Sequence, residues 1–265
     1  MPAFDPVTAL MRGLEVLRLT NQLEHASITE IHKQSGIPKA TVLRMLETLI
    51  NAGFVARIDG TATYTPTGRC LLLSNGLQMQ ARLVAVAAPH LSAFRKKVGW
   101  PSDLGIFDGD AMVIAATSRE FGVLSLNRKV GARTPMLLSA LGRAYFSYCG
   151  DKVQARIVDL LGNSTNPLDR LASSPRDIAQ IVKETRSRGY SLTDTQYLDT
   201  VYQGAIWGIG IPIMAGDQVM AAMNVMFLRN ALSLRKGIEV LVPHLKRTAA
   251  AIGQDFERDS LSFTQ

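Results

Sequence analysis

Apolar residues recur at helical spacing in two short runs near the start of the chain. Ile28 and Ile31 share one face, and Val42, Met45, Leu46 and Leu49 share another. Gly36-Ile37-Pro38 separates the runs. Glycine takes the left-handed conformation that ends a helix, and proline lacks the amide that a first helical residue leaves unbonded, so two helices joined by a tight turn are predicted. Ser27-x-x-Glu30 reads as a capping box at the first helix start. From Phe54 to Thr65 the pattern changes to two short strands around Asp59-Gly60, the outline of a wing.

Beyond this head, Thr67 to Gln80 carries Leu71, Leu72 and Leu77 and reads as a connecting helix interrupted near Gly76, either a signal transmitter or a passive spacer. A helix bearing Leu83, Val86, Leu91 and Phe94 precedes a hairpin that turns at Asp108-Gly109-Asp110. Further helices are predicted from Ser139 to Tyr148 and from Pro175 to Arg188, the second ended by Gly189. A hairpin at Ala215-Gly216-Asp217 follows, then a closing helix from Ser233 past Pro243, where a kink or split is expected. The order predicts an α+β chain: a winged helix-turn-helix over 1–66, a linker helix over 67–80, and over 81–265 an antiparallel sheet with helices on its faces.

Composition agrees with two ordered domains, at 265 residues with 47% hydrophobic and 19% charged. Asp5 and Pro6 interrupt the N-terminus where a signal peptide needs an apolar core, and no apolar run reaches membrane-spanning length, so a cytoplasmic location is expected. Cys70 and Cys149 lack the spacing of a metal site or disulfide framework and read as reduced thiols. The net charge of +7 lies outside the head: 1–80 hold seven Lys/Arg against six Asp/Glu, and the remainder 22 against 16. Bulk basicity therefore does not argue for DNA binding, and local arrangement must.

That arrangement is favourable on the second predicted helix. Its core residues leave Lys39, Ala40, Thr41, Leu43 and Arg44 on the other side near the N-terminal end, the part of a recognition helix that meets base edges. Arg44 is the candidate base reader, with Lys39 and Thr41 as phosphate anchors. Ser27 and Pro38 open the two helices, and Arg57, Thr61 and Thr63 of the wing are placed to touch backbone or minor groove. A plain helical hairpin with a solvated face is the alternative.

For enzymes the chain offers little: no nucleophile elbow, phosphate loop or HExxH motif, and His25, His32, His90 and His244 are scattered. No cofactor or metal is expected. An enzyme for a small aromatic acid or ester with an appended DNA-binding head is the rival reading.

RGLEVLRLT, ITEIHKQSGIPKATVLRMLETLINAGFV and Tyr64 in this order resemble the isocitrate lyase regulator (IclR) family, and PHLSAFRKKVGWPSDLGIFDGDAMVIAATS, RTPMLLSALGRAYFSY, RSRGYSLTD and GIGIPIMAGDQVMAAMNVMF extend the likeness over nearly the whole chain. The resemblance implies a one-component transcription regulator with a GAF-like effector domain, acting on double-stranded operator DNA as a homodimer or dimer of dimers, with RNA polymerase as a further partner. Met136, Ala140 and Leu141 lie in a small-residue segment at a helix entry whose amides suit a carboxylate, although small residues there also let a helix pack closely on a sheet. In the family this segment lines the effector pocket with positions matching Asp199, Ile206, Gly208, Asn224 and Met226. Arg119, Ser125 and Arg128 are candidate polar fixing points. The mostly apolar set favours an aromatic acid, and the segment 100–137 is similar to the branch governing hydroxyphenylpropionate and related aromatic acids. Asn224 and Met226 replace serines of some relatives, which disfavours a glyoxylate-like effector.

Overall fold

The computed structural model describes residues 4–23, 25–74, 76, 78–118 and 130–262. The chain divides into two compact units, Met1–Gln78 and Met79–Gln265.

The first unit contains α1 (Thr8–Gln22), β1 (Ala26–Ser27), α2 (Ile28–Ser35), α3 (Lys39–Asn51), β2 (Val55–Arg57) and β3 (Thr63–Pro66), with the strands antiparallel in the order β1-β3-β2. Its core joins Val16 and Leu19 of α1, Ile31 of α2, Val42 and Leu46 of α3, and Val55 and Tyr64 of the sheet. Half of the capping box forms: the Ser27 hydroxyl accepts the Glu30 amide at 3.2 Å, but the Glu30 carboxylate faces Gln34 instead. Gly36 ends α2 at φ +69°, as the turn demands.

The second unit begins with α4 (Gln78–Val98), followed by β4 (Asp103–Asp108), β5 (Ala111–Thr117), β6 (Arg133–Pro135), α5 (Ala140–Tyr148), α6 (Asp151–Gly162) and α7 (Pro175–Arg188). Then come β7 (Ser191–Leu192), α8 (Thr195–Tyr202), β8 (Ile206–Ala215), β9 (Gln218–Leu228) and α9 (Leu234–Ser262). The strands make one antiparallel sheet in the order β6-β5-β4-β9-β8-β7. Strand alternation sorts its two faces. Ile209, Ile211, Ile213, Met223, Val225 and Phe227 pack with α4 and α9 residues such as Leu91, Phe94, Leu245 and Ile252. Gly208 and Gly210 face α5 instead, and a Cβ on Gly210 would collide with the Ala140 carbonyl. The glycine lets helix and strand approach to backbone distance.

Two expectations are corrected. The connecting segment is interrupted near Gly76 as expected, but its first part, Gly68–Ser74, is a 3-10 segment rather than an α-helix, and the α-helix after the break is α4, which runs on to Val98. Leu71 and Leu72 are 72% and 61% exposed, so no buried face supports a longer helix there. Pro243 does not split the closing helix. It sits on the exposed side of α9 while Leu241, Val242 and Leu245 hold the opposite side in the core, leaving the carbonyl freed by the missing amide toward solvent.

Candidate DNA-binding and effector sites

In the head, the turn before α3 is tied by side chains. His32 Nδ1 donates to the Ile37 carbonyl at 2.7 Å, and Ser35 Oγ accepts the Ile37 amide while donating to Ile31 O. These bonds fix the direction in which α3 leaves α2. Sequence reading missed both residues, although a Ser and a His flanking a Gly turn supply the needed donor and acceptors. Pro38 takes the N-cap position of α3, and its carbonyl accepts the Thr41 and Val42 amides.

Lys39, Ala40, Leu43 and Arg44 are exposed on α3 and Thr41 is half-buried, while Val42 and Leu46 face the core. Among the described residues neither Lys39 nor Arg44 has an ion-pair partner. The wing tip is braced internally: Arg57 Nε donates to Thr61 O at 3.3 Å, and the Thr61 and Thr63 hydroxyls lie 2.7 Å apart. Ser27 is occupied as a cap, so among these candidates it supports the helix rather than presenting a free hydroxyl.

In the effector unit the predicted residues separate into two buried groups. Met136 and Leu141 belong to the core beneath α5, and Ile206 and Met226 to a cluster with Leu138, Tyr197, Leu198 and Tyr202. Ala140 and Gly208 meet between the two groups beside Thr193. Asn224 faces the same side but is bound to Asp103: its Oδ1 accepts the Asp103 amide at 2.8 Å and its Nδ2 approaches Asp103 Oδ2 at 3.3 Å. Asp103 Oδ1 also accepts from the Thr117 hydroxyl at 2.8 Å. Asp103 was not foreseen, and with partners 14 and 121 residues away no local signal marks it.

Asp199 stands at the exposed edge of the second group, next to Leu198. Its side chain is 56% exposed and pairs with Arg229 at 3.2 Å, while Arg229 stacks 3.9 Å over Trp207 and donates to Ile206 O. Arg119, Ser125 and Arg128 lie outside the described residues. At the α5 entry, Ser139 Oγ accepts the Gly142 amide at 2.9 Å and lies 3.0 Å from the Thr134 hydroxyl.

Arg143 links this entry to α8. Its Nε donates to Leu137 O, one terminal nitrogen to Leu192 O and the other to Asp194 at 2.9 Å. Asp194 in turn caps α8 by accepting the Tyr197 amide. Burial lowers the Arg143 pKa from its ordinary value, and the Asp194 charge opposes that shift. Among the described residues no group of three or more His, Cys, Asp or Glu is placed to hold a metal, and no helix is long and apolar enough to cross a membrane.

The IclR helix-turn-helix domain matches residues 9–59, and the bacterial transcriptional regulator IclR C-terminal domain matches residues 77–254. The chain belongs to the IclR family. This IclR-family chain is a DNA-binding transcriptional regulator and not an enzyme. It is 27% identical over 226 residues to the Pca regulon regulatory protein of Pseudomonas putida, covering 83% of this chain and 74% of that protein. A transcriptional regulator from Rhodococcus sp. RHA1 shares 25% identity at a TM-score of 0.67, covering 95% of this chain and 98% of that one. An IclR homolog from Microbacterium hydrocarbonoxydans, solved in complex with 4-hydroxybenzoate, shares the fold at TM-score 0.68 and 18% identity, over 95% of this chain and all of its own. The mixed helix-and-sheet architecture with an antiparallel sheet in the C-terminal domain is that of IclR structures.

Proposed function

We propose that this IclR regulator binds a two-fold-related operator as a homodimer in the cytoplasm, and that a mostly apolar aromatic carboxylic acid, seated between the α5 entry and the β8–β9 face, alters that binding. The observation that carries the ligand class is the cluster of Leu138, Tyr197, Leu198, Tyr202, Ile206 and Met226 beside a helix N-terminus. Apolar and aromatic side chains accept a ring, and helix amides attract a carboxylate. The 4-hydroxybenzoate complex of the Microbacterium homolog supports the same class. Arg119, Ser125 and Arg128 complete the polar side of the site in this reading, and Asp199 acts through Arg229 at its rim.

On the DNA side, Arg44 reads a base edge, Lys39 and Thr41 hold phosphates, and Arg57, Thr61 and Thr63 follow the adjacent backbone. The exposed apolar stripe of Leu10, Met11 and Leu14 on α1, with Val7 just before it, supports a dimer, because a partner would cover apolar residues at helical spacing that the head core leaves in water. A dimer then offers two recognition helices to two half-sites, and RNA polymerase is the partner that reads out the result.

An effector changes operator affinity only through unequal binding to two states, so the effect must be reciprocal. Thermal unfolding and operator binding are measured with 4-hydroxybenzoate, other phenolic acids, glyoxylate and pyruvate. The phenolic acids are expected to raise Tm and change operator affinity. Stabilisation by the small oxo-acids alone overturns the ligand class and leaves the DNA reading standing.

A further inference from the structure

A cavity of about 310 Å³ opens between α5, α7 and the 3-10 segment Pro167–Ser173, apart from the cluster assigned to the effector. Arg143 lines it from α5, Asp194 from the cap of α8, and Asp177, Glu184 and Arg188 from α7. Two of the three carboxylates are paired within the chain, Asp194 with Arg143 and Glu184 with Arg188, each at 2.9 Å. Asp177 is not: among the described residues its side chain has neither an ion pair nor a hydrogen bond.

Arg143 brings donors to the same cavity. A guanidinium carries five N–H groups, and Arg143 uses three, on Leu137 O, Leu192 O and Asp194. Its side chain is 16% exposed, so the remaining two have little water to turn to, and an acceptor oxygen in the cavity satisfies them. The Glu184 charge is felt at Arg143, whereas Asp177 lies seven residues earlier on the same face of α7, about 10 Å away along its axis. The cavity therefore offers donors beside one carboxylate and a second carboxylate two turns off. An amino acid with a cationic side chain matches this pattern: its carboxylate meets Arg143, its α-ammonium Glu184 and its side-chain cation Asp177. With three acids against two bases in the lining, a ligand of net charge +1 also leaves the filled cavity neutral.

We propose that this cavity is a second small-molecule site of the regulator, for a dibasic amino acid such as lysine, and that its occupant acts on the effector site; the second half rests on the effector reading above. The route is short. Leu137 O, held by Arg143, directly precedes Leu138 of the effector cluster, and Asp194 caps the helix that carries Tyr197 and Tyr202. Leu171 lines the cavity and packs against that same cluster.

The test is calorimetric titration of the full chain with L-lysine, with cadaverine, which lacks the carboxylate, and with L-norleucine, which lacks the side-chain ammonium. L-lysine is expected to bind, and each analogue to bind at least about tenfold more weakly. Asp177 also stands in the first turn of α7, where a carboxylate favours the helix, so its variant is read differentially. Asp177→Asn is expected to weaken L-lysine about tenfold and to leave L-norleucine unchanged. No L-lysine binding, cadaverine binding as tightly as L-lysine, or an equal loss for both amino acids in the variant overturns the site. With 4-hydroxybenzoate present, the L-lysine affinity is expected to shift several-fold while both ligands stay bound. Mutual exclusion of the two overturns the second site, and an unchanged affinity overturns the coupling. Failure of 4-hydroxybenzoate to bind counts against the effector reading, and the L-lysine titrations still decide the cavity.

Discussion

On the head, Lys39 and Arg44 stand exposed without ion-pair partners among the described residues, whereas in the effector unit Arg143, Arg229, Asp103 and Asn224 are each bonded to protein groups. The contrast follows from what each unit meets. A polyanion brings its own counter-charges, so long cations wait in water at little cost, solvated until phosphates replace the water. A small ligand enters a low-dielectric interior, where an unpaired charge costs several kcal/mol before anything binds. The effector unit therefore fixes these polar residues to protein groups, and in the proposed site ligand recognition falls to apolar shape and helix amides.

The most severe break in this contrast is to strip a buried partner. Asp194→Ala removes both the carboxylate facing Arg143 and the cap of α8. With the two side chains 16% and 25% exposed, water screens the pair only partly. A loss of about 3 kcal/mol is expected, seen as a fall of roughly 6–12 °C in the Tm of the effector unit. Arg44→Ala should leave Tm unchanged and weaken operator binding by about 10- to 100-fold, with relaxed specificity at one base position. Lys39→Ala should weaken all sequences alike and lower the salt slope of binding by about 1. Cost in stability on one side and cost in affinity alone on the other would confirm the division of labour, and a large Tm loss in Arg44→Ala would dissolve it.

A smaller effect sharpens the ligand side. Met226→Ser, measured as the ratio of affinities for 4-hydroxybenzoate and glyoxylate, should shift that ratio toward glyoxylate by about tenfold, the scale set by a lost apolar contact. An unchanged ratio places the ring elsewhere. The smallest effect concerns the thiols. Burial pushes Cys149 up to about 11, so at pH 8 it stays protonated and unreactive, and Ellman titration of the folded chain should count at most Cys70. Because the folded value lies above the ordinary 9.0, the stability linked to this proton is complete below pH 9 and lost as pH rises through about 11.

What was legible in the residues was mostly local chemistry. Ser27, Gly36 and Pro38 mark the head helices, Asp59-Gly60 the wing, and Pro175 with Gly189 the two ends of α7, because each acts on its own neighbours. Elements without such marks escaped notice. The N-terminal ends of α1 and α6 have no side-chain cap bond, and β6 and β7 are short strands held by pairing, Ser191 opposite Gly210 in one case. The same limit governs the candidate site. Met136, Leu141, Ile206 and Met226 are apolar in sequence and buried in structure, but Asn224 looked like a free polar group until Asp103, brought beside it by β4 pairing with β9, proved to hold it.

The closing helix has a consequence for how the protein is made. Leu245, Ala249, Ile252 and Phe256 of α9 belong to the same core as β8, β9 and α4. Every hydrophobic contact of the head core is made by residues up to Cys70. During synthesis the head can complete its core while most of the sensor is still untranslated, and the sensor cannot close until its final helix arrives. A nascent regulator thus passes through an interval in which it is able to meet DNA before it is able to hear its signal.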